Sequence, residues 1–520
     1  MKNNYDVIVI GAGNGGLAAA AYCAKAGLKT LLLEKHNLPG GSASSFVRGR
    51  FEFEPSLHEL SGSGTPEDPS ASAKLFNDLG AKVDFCSHSE TYRLIVPAAE
   101  DDPEGFIGEN GVRVKVDAAM PSGFEKFSRK LDSLVPGSYE SSMKVFRLSS
   151  LMYESFGELG KGKINPVKFL SKYGDVLKMA SHTLKECLDE LGMPEKAQGI
   201  FTAYWCYMGA PPRRFDFLYY MAMMHGYIER GVSMPRLRSH EMSCAVEKAI
   251  RDFGGEIRYN SEVTRVLMQN GKPCGVEVNG KTKLFADYFI CNTHPNFALA
   301  DFFSPEEVPA DAKRKANGRP VAATLITVYL GMNRTKEQLG IHDYSLFIAP
   351  SDDSDEQFRS VQNKINTDYV IINCLNEVIP DCSPEGTSML FLTGITYGDV
   401  MKGVKPEDYK KYKTQVADGM ITRCEKALGI SIKPYIEEIE IALPPTFSRY
   451  LNTPFGSPYG YQLDMWDSML PRTIQFGKDQ PFDNFLFCGA SQERGDGYGS
   501  AYFSGEKAAG KIIKKIREGK

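Results

Sequence analysis

The sequence lacks the features that mark several classes of protein. No stretch of its 520 residues reaches the roughly 18 consecutive apolar residues of a membrane-spanning helix. The first apolar run starts within ten residues of the N-terminus and has no leader-like flanks, so we expect no signal peptide. Basic residues are not in excess, with 61 Lys and Arg against 65 Asp and Glu, which argues against a nucleic-acid partner. We expect a cytoplasmic protein with at most peripheral membrane contact.

Metal and disulfide signatures are also missing. The 11 cysteines are scattered and form no C-x-x-C pair, which is typical of reduced thiols in the cytosol. The eight histidines show no zinc-ligand spacing, and no Ser-His-Asp arrangement can be inferred. We therefore predict neither a metal site nor a hydrolase triad.

The N-terminal 34 residues hold the most informative pattern. An apolar run at 7–10 predicts a buried strand, a helix follows over 18–26, and a second apolar strand covers 30–33. Between the first strand and the helix, Gly11, Gly13 and Gly16 give the G-x-G-x-x-G spacing of a dinucleotide-binding turn. Such glycines allow a tight turn, backbone approach to a pyrophosphate, and close packing of helix on strand.

Glu34 ends the second strand, 18 positions after the last glycine of the turn. An acidic side chain at this place accepts hydrogen bonds from the ribose hydroxyls of a dinucleotide. Strand, turn, helix, strand and acid in register therefore predict a dinucleotide-binding unit at the N-terminus.

Three runs in this region, GAGNGGLAAA, LLLEKHNLPGGSASSF and FEFEPSLHEL, resemble the FAD-binding N-terminus of one family group. The group contains the phytoene desaturases, carotenoid isomerases and retinol saturases, within the flavin amine oxidase superfamily. Residues 254–266 and 483–505 resemble further FAD segments of the same group. The resemblance implies an α/β fold, with a Rossmann-like FAD-binding domain of the glutathione reductase type and an inserted α+β substrate domain.

The resemblance also implies which residues contact FAD. They are Gly11, Gly13, Asn14, Gly15, Gly16, Glu34, Lys35, Gly40, Gly41, Ser42, Ser56, Val263, Asn292, Gly489, Gly495, Asp496, Gly497 and Tyr498.

Several positions depart from the family pattern. Ser42 replaces a frequent arginine, Ser56 a glycine, Arg494 a proline and Asp496 a glycine. Residues 235–239, PRLRS, occupy the place of a Pro-x-Gly-Gly turn. The resemblance therefore implies a divergent member, whose substrate need not be a carotenoid.

The cofactor segments lie far apart in the sequence, so we predict discontinuous domains. Residues 1–95, 232–300 and 470–520 would form the FAD-binding domain. Residues 96–231 and 301–469 would form the substrate domain, with a helical lid.

Residues 201–234 are rich in aromatic and methionine side chains, which suit either an ordinary core or the wall of a pocket for a lipophilic molecule. The resemblance favours the pocket, because this region is similar to the family's substrate-delivering helices. Upstream, a polar turn at 161–166 precedes a basic, aromatic amphipathic helix predicted over 167–179. That helix fits a lid with one solvated face or a contact with an anionic membrane surface.

Candidate catalytic side chains are few, because in flavoenzymes the cofactor carries the hydride. His58 matches a histidine in the FDxGxH-type segment of the retinol saturases, although a structural role suits it equally. His225 and Tyr227 at the end of the aromatic segment could act as acid or base.

The leading hypothesis is an FAD-dependent oxidoreductase that saturates or desaturates a carbon-carbon bond of a lipophilic isoprenoid or polyene. Its electrons would exchange with an external donor or acceptor, since no second glycine turn for NAD(P) stands out. Alternatives are a non-redox cis-trans isomerase of a polyene, a flavin amine oxidase, and a prenyl-carrying escort protein. The escort protein is disfavoured because this sequence retains the glycine motifs for a cofactor.

Overall fold

The computed structural model describes residues 4–64, 68–160, 165–467, 471–472 and 480–519. Its strands are β1 (Tyr5–Ile10), β2 (Thr30–Leu33), β3 (Phe46–Arg48), β4 (Phe51–Phe53), β5 (Leu60–Ser61), β6 (Phe85–His88), β7 (Glu90–Pro97), β8 (Phe106–Ile107), β9 (Arg113–Pro121), β10 (Val232–Pro235), β11 (Glu256–Arg258), β12 (Val263–Gln269), β13 (Lys272–Val278), β14 (Thr282–Cys291), β15 (Thr324–Met332), β16 (Ser345–Ile348), β17 (Val370–Cys374), β18 (Ser388–Thr396), β19 (Ile436–Ala442) and β20 (Phe485–Phe487).

The helices are unevenly spread along the chain and include seven in succession between β9 and β10. They are α1 (Asn14–Lys25), α2 (Ala71–Asp78), α3 (Phe124–Leu134), α4 (Tyr139–Gly160), α5 (Pro166–Met179), α6 (Leu184–Glu190), α7 (Glu195–Phe201), α8 (Trp205–Met208), α9 (Phe217–Arg230), α10 (Ser239–Asp252), α11 (Pro295–Asp301), α12 (Ala310–Asn317), α13 (Lys336–Leu339), α14 (Ser354–Ser360), α15 (Tyr409–Leu428), α16 (Pro444–Leu451) and α17 (Tyr498–Arg517). Short 3-10 turns lie at Leu375–Glu377, Pro406–Asp408, Lys433–Tyr435, Pro454–Gly456 and Met465–Asp467.

A seven-stranded sheet is built from both ends and the middle of the chain. Its order is β11-β2-β1-β14-β13-β12, and β20 also pairs with β14. The pairs that link β11, β2, β1, β14 and β20 are all parallel, whereas β12, β13 and β14 form an antiparallel meander. Because helices cover both faces of a parallel sheet, its strands are continuous apolar runs. This is why β2 is buried at all four positions.

Helix α1 is packed in the interior against the sheet, α10 and α17. Its residues 14–21 are all buried, and most of them are glycine or alanine. A side-chain carbon at Gly505 of α17 would clash with the carbonyl oxygen of Gly15, and one at Gly16 would clash with that of Gly11. The small residues therefore let α1 approach both the sheet and α17 at backbone distance.

An eight-stranded mixed sheet forms the second layer, in the order β19-β15-β18-β17-β16-β7-β9-β8. Strands β15 and β18 are buried at all nine positions of each. Strand β7 belongs to this sheet, so the domain boundary predicted near residue 95 falls inside a strand. Strand β10 pairs with β5 and β6 in a separate three-stranded sheet, rather than with the parallel strands.

Helices α3 to α9 pack on one side of the eight-stranded sheet around a buried aromatic core. The predicted amphipathic helix is present as α5, with Val176 and Met179 in that core and Phe169 and Tyr173 also buried. The polar turn predicted before it lies mostly outside the described residues. No helix in the described ranges combines the length and apolar character needed to cross a bilayer.

The contact between α1 and α17 predicts opposite effects for two glycines of the same helix. Gly505→Ala should lower stability by about 1–3 kcal/mol, because its methyl group forces the two helices apart. Gly510 is exposed and has open space around it, so Gly510→Ala should be neutral or add up to about 1 kcal/mol. Thermal unfolding midpoints of both variants check this. A Gly505→Ala midpoint at or above that of the unmodified protein would contradict the packing described above.

Candidate functional site

A cavity of 1790 Å³ lies at the carboxyl ends of the parallel strands. Ligands of open α/β sheets bind at such an edge. One part of the cavity wall is the glycine edge, which consists of Gly11, Gly13, Gly15, Glu34, Asn292 and Gly489. The facing part is the aromatic wall, which consists of Tyr207, Met208, Leu218, Tyr219, Met223 and Tyr227 from α8 and α9. The fold thus joins the predicted dinucleotide turn and the predicted lipophilic segment in one space.

The turn before α1 takes the shape that the glycine spacing predicts. Gly11 has φ +90° and donates from its backbone N to the Leu33 carbonyl oxygen over 2.8 Å. Gly13 precedes the helix and, as a glycine, has no side chain with which to cap the first N–H groups of α1. Gly40 donates to the Ala12 carbonyl over 2.7 Å, which holds the second glycine pair against the turn. Backbone N–H groups at a helix N-terminus suit a phosphate group.

Asn292 follows β14 and explains why several glycines meet at this edge. Its backbone N donates to the Ile10 carbonyl over 2.9 Å. A side-chain carbon at Gly13, Gly15 or Gly489 would come within 2.5–2.6 Å of the Asn292 amide. The amide can therefore lie against the turn only because these three positions carry no side chain.

Glu34 is buried at the end of β2. Its Oε2 accepts from the Ala12 backbone N over 2.6 Å, and its Oε1 accepts from the His36 backbone N over 2.7 Å. The neighbouring Lys35 is exposed, with its Nζ 3.5 Å from the Arg449 carbonyl oxygen. Glu34 thus holds the turn in place while lining the cavity. Val263, at the start of β12, lines the same end.

Two of the departures from the family pattern are joined by a hydrogen-bond network. Tyr498 donates from its hydroxyl to the Ser42 carbonyl oxygen over 2.7 Å and lies 2.9 Å from the Ser56 hydroxyl. Beneath them the buried Glu54 carboxylate accepts from the Ser239 backbone and hydroxyl, each over 2.8 Å. Ser42, Ser56, Gly40, Gly41 and Tyr498 therefore form one wall of the cavity.

Arg238 occupies the place where the family pattern has glycine, and its backbone φ of +67° is one that glycine favours. Its guanidinium donates to the carbonyl oxygens of Glu52, over 2.8 Å, and Cys382, over 3.0 Å. The buried side chain is thus held by hydrogen bonds that a glycine at this position would lack.

The C-terminal segment closes the cavity just before α17. Gly489, Gly495 and Gly497 all have positive φ values, between +68° and +97°. Asp496 lines the cavity, where removal from water raises the pKa of its carboxyl to about 7. Gly495 lies beneath the wall, against the Tyr219 hydroxyl. Of the residues predicted to bind the cofactor, the structure places all but Gly16 and Gly495 in the cavity wall.

The structure separates the three candidate catalytic residues. His58 lines the cavity, with its Nε2 2.9 Å from the Thr393 hydroxyl, and burial lowers its pKa to about 4. Tyr227 also lines it and donates to the Glu59 carbonyl oxygen over 3.1 Å.

His225 is not part of the cavity wall, so its position does not support the predicted role as an acid or base. Its Nδ1 lies 2.9 Å from the Ser149 hydroxyl and its Nε2 lies 3.1 Å from a Glu229 carboxylate oxygen. On a helix, successive side chains point about 100° apart, so Tyr227 and His225 face different directions. His225 therefore holds α9 against α4.

Glu59 was missed by the sequence analysis. It is a buried carboxyl in the cavity wall next to His58, and the Tyr207 hydroxyl donates to its Oε1 over 2.8 Å. The only available signal was its place in the FEFEPSLHEL run, one position after the candidate His58. Among the described residues, no group of three or more His, Cys, Asp or Glu side chains could hold a metal ion.

Comparisons with known proteins agree with this geometry. Residues 9–79 match a family model described as an NAD(P)-binding Rossmann-like domain. The chain is 23% identical to the all-trans-retinol 13,14-reductase of Macaca fascicularis, over 93% of this chain and 82% of that protein. It is 25% identical to the phytoene desaturase of Neurospora crassa, over 95% and 82% of the two chains. The prolycopene isomerase of Daucus carota is 22% identical, over 88% and 72%. These relatives confirm the resemblance seen in the motifs.

Solved structures confirm the predicted fold class. An oxidoreductase from Methanosarcina mazei aligns over 97% of this chain and 99% of its own, with a TM-score of 0.62 and 17% identity. Wild-type putrescine oxidase bound to putrescine aligns over 98% and 99%, with a TM-score of 0.61 and 14% identity. At such identities the likeness concerns the fold alone.

The lowered pKa of His58 predicts how stability depends on pH. The ordinary value is 6.5 and the folded value is about 4, so between these values the unfolded chain binds the proton more readily. The fold should therefore lose stability as the pH falls from 6.5 to about 4. Over this pH range the free energy of unfolding of the His58→Gln variant should fall by up to about 3 kcal/mol less than that of the unmodified protein.

Denaturant unfolding at pH 7 and pH 4.5 checks this result. His294, whose pKa burial also lowers to about 4, should account for a similar share of the remaining loss. Equal pH dependence in the His58→Gln variant and the unmodified protein would contradict the assignment.

Proposed function

We propose that this protein binds FAD and uses it to add or remove hydrogen across a carbon-carbon bond of a lipophilic isoprenoid or polyene. The observation that carries the proposal is the single cavity shared by the glycine edge and the aromatic wall. A dinucleotide bound at the glycine edge would lie beside an apolar molecule bound at the aromatic wall. The relatives named as a retinol reductase and a phytoene desaturase support this pairing.

The residues at the glycine edge fit FAD. The N-terminus of α1, which its Gly13 N-cap leaves without a capping side chain, would direct backbone N–H groups at the pyrophosphate, and Glu34 would offer carboxylate oxygens to a ribose. The side-chain oxygen of Asn14 is buried in the cavity wall and has no hydrogen-bond partner among the described residues. A cofactor hydroxyl would satisfy it. Glycines at 13, 15 and 489 keep the approach free of side chains.

When bound, FAD supplies the hydride-transfer chemistry of the site. The protein holds and orients the substrate and excludes water. The aromatic wall does this with large apolar surfaces and flexible methionines, which adapt to a long, poorly polar molecule. Tyr219 and Tyr227 are held by hydrogen bonds to backbone carbonyls, so this surface is ordered.

Whether the site favours saturation or desaturation depends on which side chains can give or take a proton. At neutral pH His58 is uncharged, because burial lowers its pKa to about 4. It therefore cannot supply a proton as an imidazolium. Saturation and desaturation both remain compatible with the site, with electrons passing to or from an external partner.

A polyene isomerase is the second candidate, because the Daucus carota relative carries that name and the same cavity would serve. The flavin amine oxidase alternative has support from likeness of fold alone, as to putrescine oxidase. The apolar character of the aromatic wall favours an uncharged hydrocarbon over an amine.

The test begins with the cofactor. The purified protein should release FAD on denaturation, identified by its absorption spectrum and by chromatography. Glu34→Ala should retain much less, because it loses a turn-holding carboxylate. Glu356→Ala, at an exposed position of α14, is the matched control and should retain a normal amount. Absence of any flavin in the unmodified protein would exclude the proposal.

The second step reads the reaction directly. The oxidised and the dithionite-reduced protein are incubated anaerobically with retinoids, carotenoids and other unsaturated lipids, and the products are measured by mass spectrometry. A change of two hydrogens in one of these substrates is the expected result. A changed retention time at unchanged mass would establish isomerisation instead. Peroxide formed with amines alone would establish an amine oxidase.

The helix pair α4 and α5 supports a peripheral contact with lipid near the cavity. Val167 and Leu170 on α5 are 76% and 58% exposed. Phe156 and Leu159 on α4, which packs against α5, line the cavity. The basic residues contribute less than the sequence predicts, because Lys172 pairs with Glu154 over 3.0 Å, and Lys178 also faces a glutamate. We therefore propose a mainly apolar contact rather than an electrostatic one.

Vesicle flotation tests the lipid contact. The Val167→Ser, Leu170→Ser double variant should float with phosphatidylcholine vesicles less than the unmodified protein, with or without phosphatidylserine. Ile107→Ser, at a 65% exposed position far along the second sheet, should float normally. Equal flotation of all three proteins would argue for a simple lid.

A further inference from the structure

We propose that Glu59 is the proton-exchanging group of this site, giving a proton to the substrate in the saturating direction and taking one in the desaturating direction. This inference rests on the proposed function. It assigns the acid and base role to Glu59, which lies in the FEFEPSLHEL run, one position after the candidate His58.

The position of the Glu59 carboxyl supports this role. The residue is only 4% exposed, yet it lines the cavity. Its Oε1 accepts from the Tyr207 hydroxyl, whereas its Oε2 is buried and has no hydrogen-bond partner among the described residues. Leaving a buried carboxyl oxygen unpaired costs about 1–3 kcal/mol or more. A group brought by the substrate would offset that cost.

Tyrosine hydroxyls fix the backbone on which this carboxyl stands. Tyr227 donates to the Glu59 carbonyl oxygen over 3.1 Å, and Tyr344 donates to the His58 carbonyl oxygen. With Tyr207 on the side chain, three phenols hold residues 58 and 59. A proton-transfer group needs such fixed placement, because transfer requires hydrogen-bond reach to the reacting atom.

The surroundings keep the carboxyl protonated at neutral pH. The ionisable groups that act on Glu59 are Tyr204, Tyr207, Tyr227, Tyr344 and Cys206, all of them uncharged when protonated. Among the described residues no basic side chain offsets the loss of water, so burial raises the pKa of Glu59 to about 8. A group with a pKa near the working pH can both give and take a proton.

His58 is less suited to this role. Its pKa near 4 leaves it neutral at pH 7, and its Nε2 is already engaged with Thr393. Glu59 instead carries an available proton beside an unpaired oxygen.

The transfer balances in both directions. In the saturating direction one alkene carbon accepts a hydride from the reduced cofactor and its neighbour accepts the Glu59 proton. The substrate thereby gains two hydrogens and two electrons, and Glu59 is left as a carboxylate that water reprotonates. In the reverse direction the carboxylate takes the proton and the hydride leaves to the oxidised cofactor.

Infrared difference spectroscopy of the purified holoenzyme tests the protonation state without any turnover. The spectrum of the unmodified protein minus that of Glu59→Gln should show a protonated carboxyl at pH 6.5 that is lost with a midpoint near pH 8. Tyr207→Phe removes a hydrogen bond that favours the charged form, so it should raise this midpoint. A carboxyl already ionised at pH 6.5 would overturn the proposal.

Turnover tests the role itself, with the substrate identified by the mass spectrometry above. Glu59→Gln keeps an acceptor for Tyr207, so FAD content and KM should stay near normal while kcat falls roughly 10²- to 10⁴-fold. Deuterium uptake from heavy water at the substrate carbon should fall with it. Glu59→Asp should restore part of the rate, and Glu356→Gln, at an exposed position, should have no effect.

Two results separate this inference from the proposed function. Normal turnover in Glu59→Gln together with loss in His58→Gln would overturn the inference and leave the function standing. A protein without flavin, or without any reaction on the lipid panel, would overturn the function and with it the proton-exchange role. The infrared midpoint would then still describe the carboxyl.

Discussion

The structure depends on the distance at which α1 can approach its neighbours. Side-chain carbons at Gly16 and Gly505 would clash with the carbonyl oxygens of Gly11 and Gly15, so only glycine permits this packing. The approach directs the N-terminus of α1 into the cavity and leaves room for the Asn292 amide between β1 and β20. The glycine edge, the position of Glu34 and the course of α17 all follow from it.

Removal from water shifts the pKa values of several cavity side chains toward their uncharged forms. Its two titratable carboxyls with resolved shifts, Glu59 and Asp496, both have pKa values raised by removal from water, to about 8 and about 7. The pKa of His58 is lowered for the same reason. The side chains that line this part of the cavity are thus driven toward their neutral forms, which suits an uncharged, lipophilic ligand.

Much of the nucleotide-binding half could be predicted from the spacing of glycines and apolar residues that are close in the sequence. The strand at 7–10, the turn at Gly11 and Gly13, and the strand that ends at Glu34 form by rules that act within thirty residues. The domain bounds and the residue contacts with FAD remain predictions. The place of His225 outside the cavity wall was not foreseen, and Glu59 was overlooked, because both depend on which way one side chain points after distant helices have packed. The membership of residues 90–97 in the second sheet likewise depends on pairing with a strand about 250 residues away.

The meeting of the two ends of the chain bears on how the protein is made in a cell. Strand β20 completes the parallel sheet beside β14, and α17 covers α1, which was synthesised nearly 500 residues earlier. At translation rates of about 5–20 residues per second, the interval between these helices is roughly 25–100 s. During that time the face of α1 that α17 covers stays exposed, while one side of β14 waits only for the shorter interval between residues 291 and 485. The last cover of α1 therefore arrives only with the C-terminal helix, and a truncation near the C-terminus would remove the element that ends this exposure.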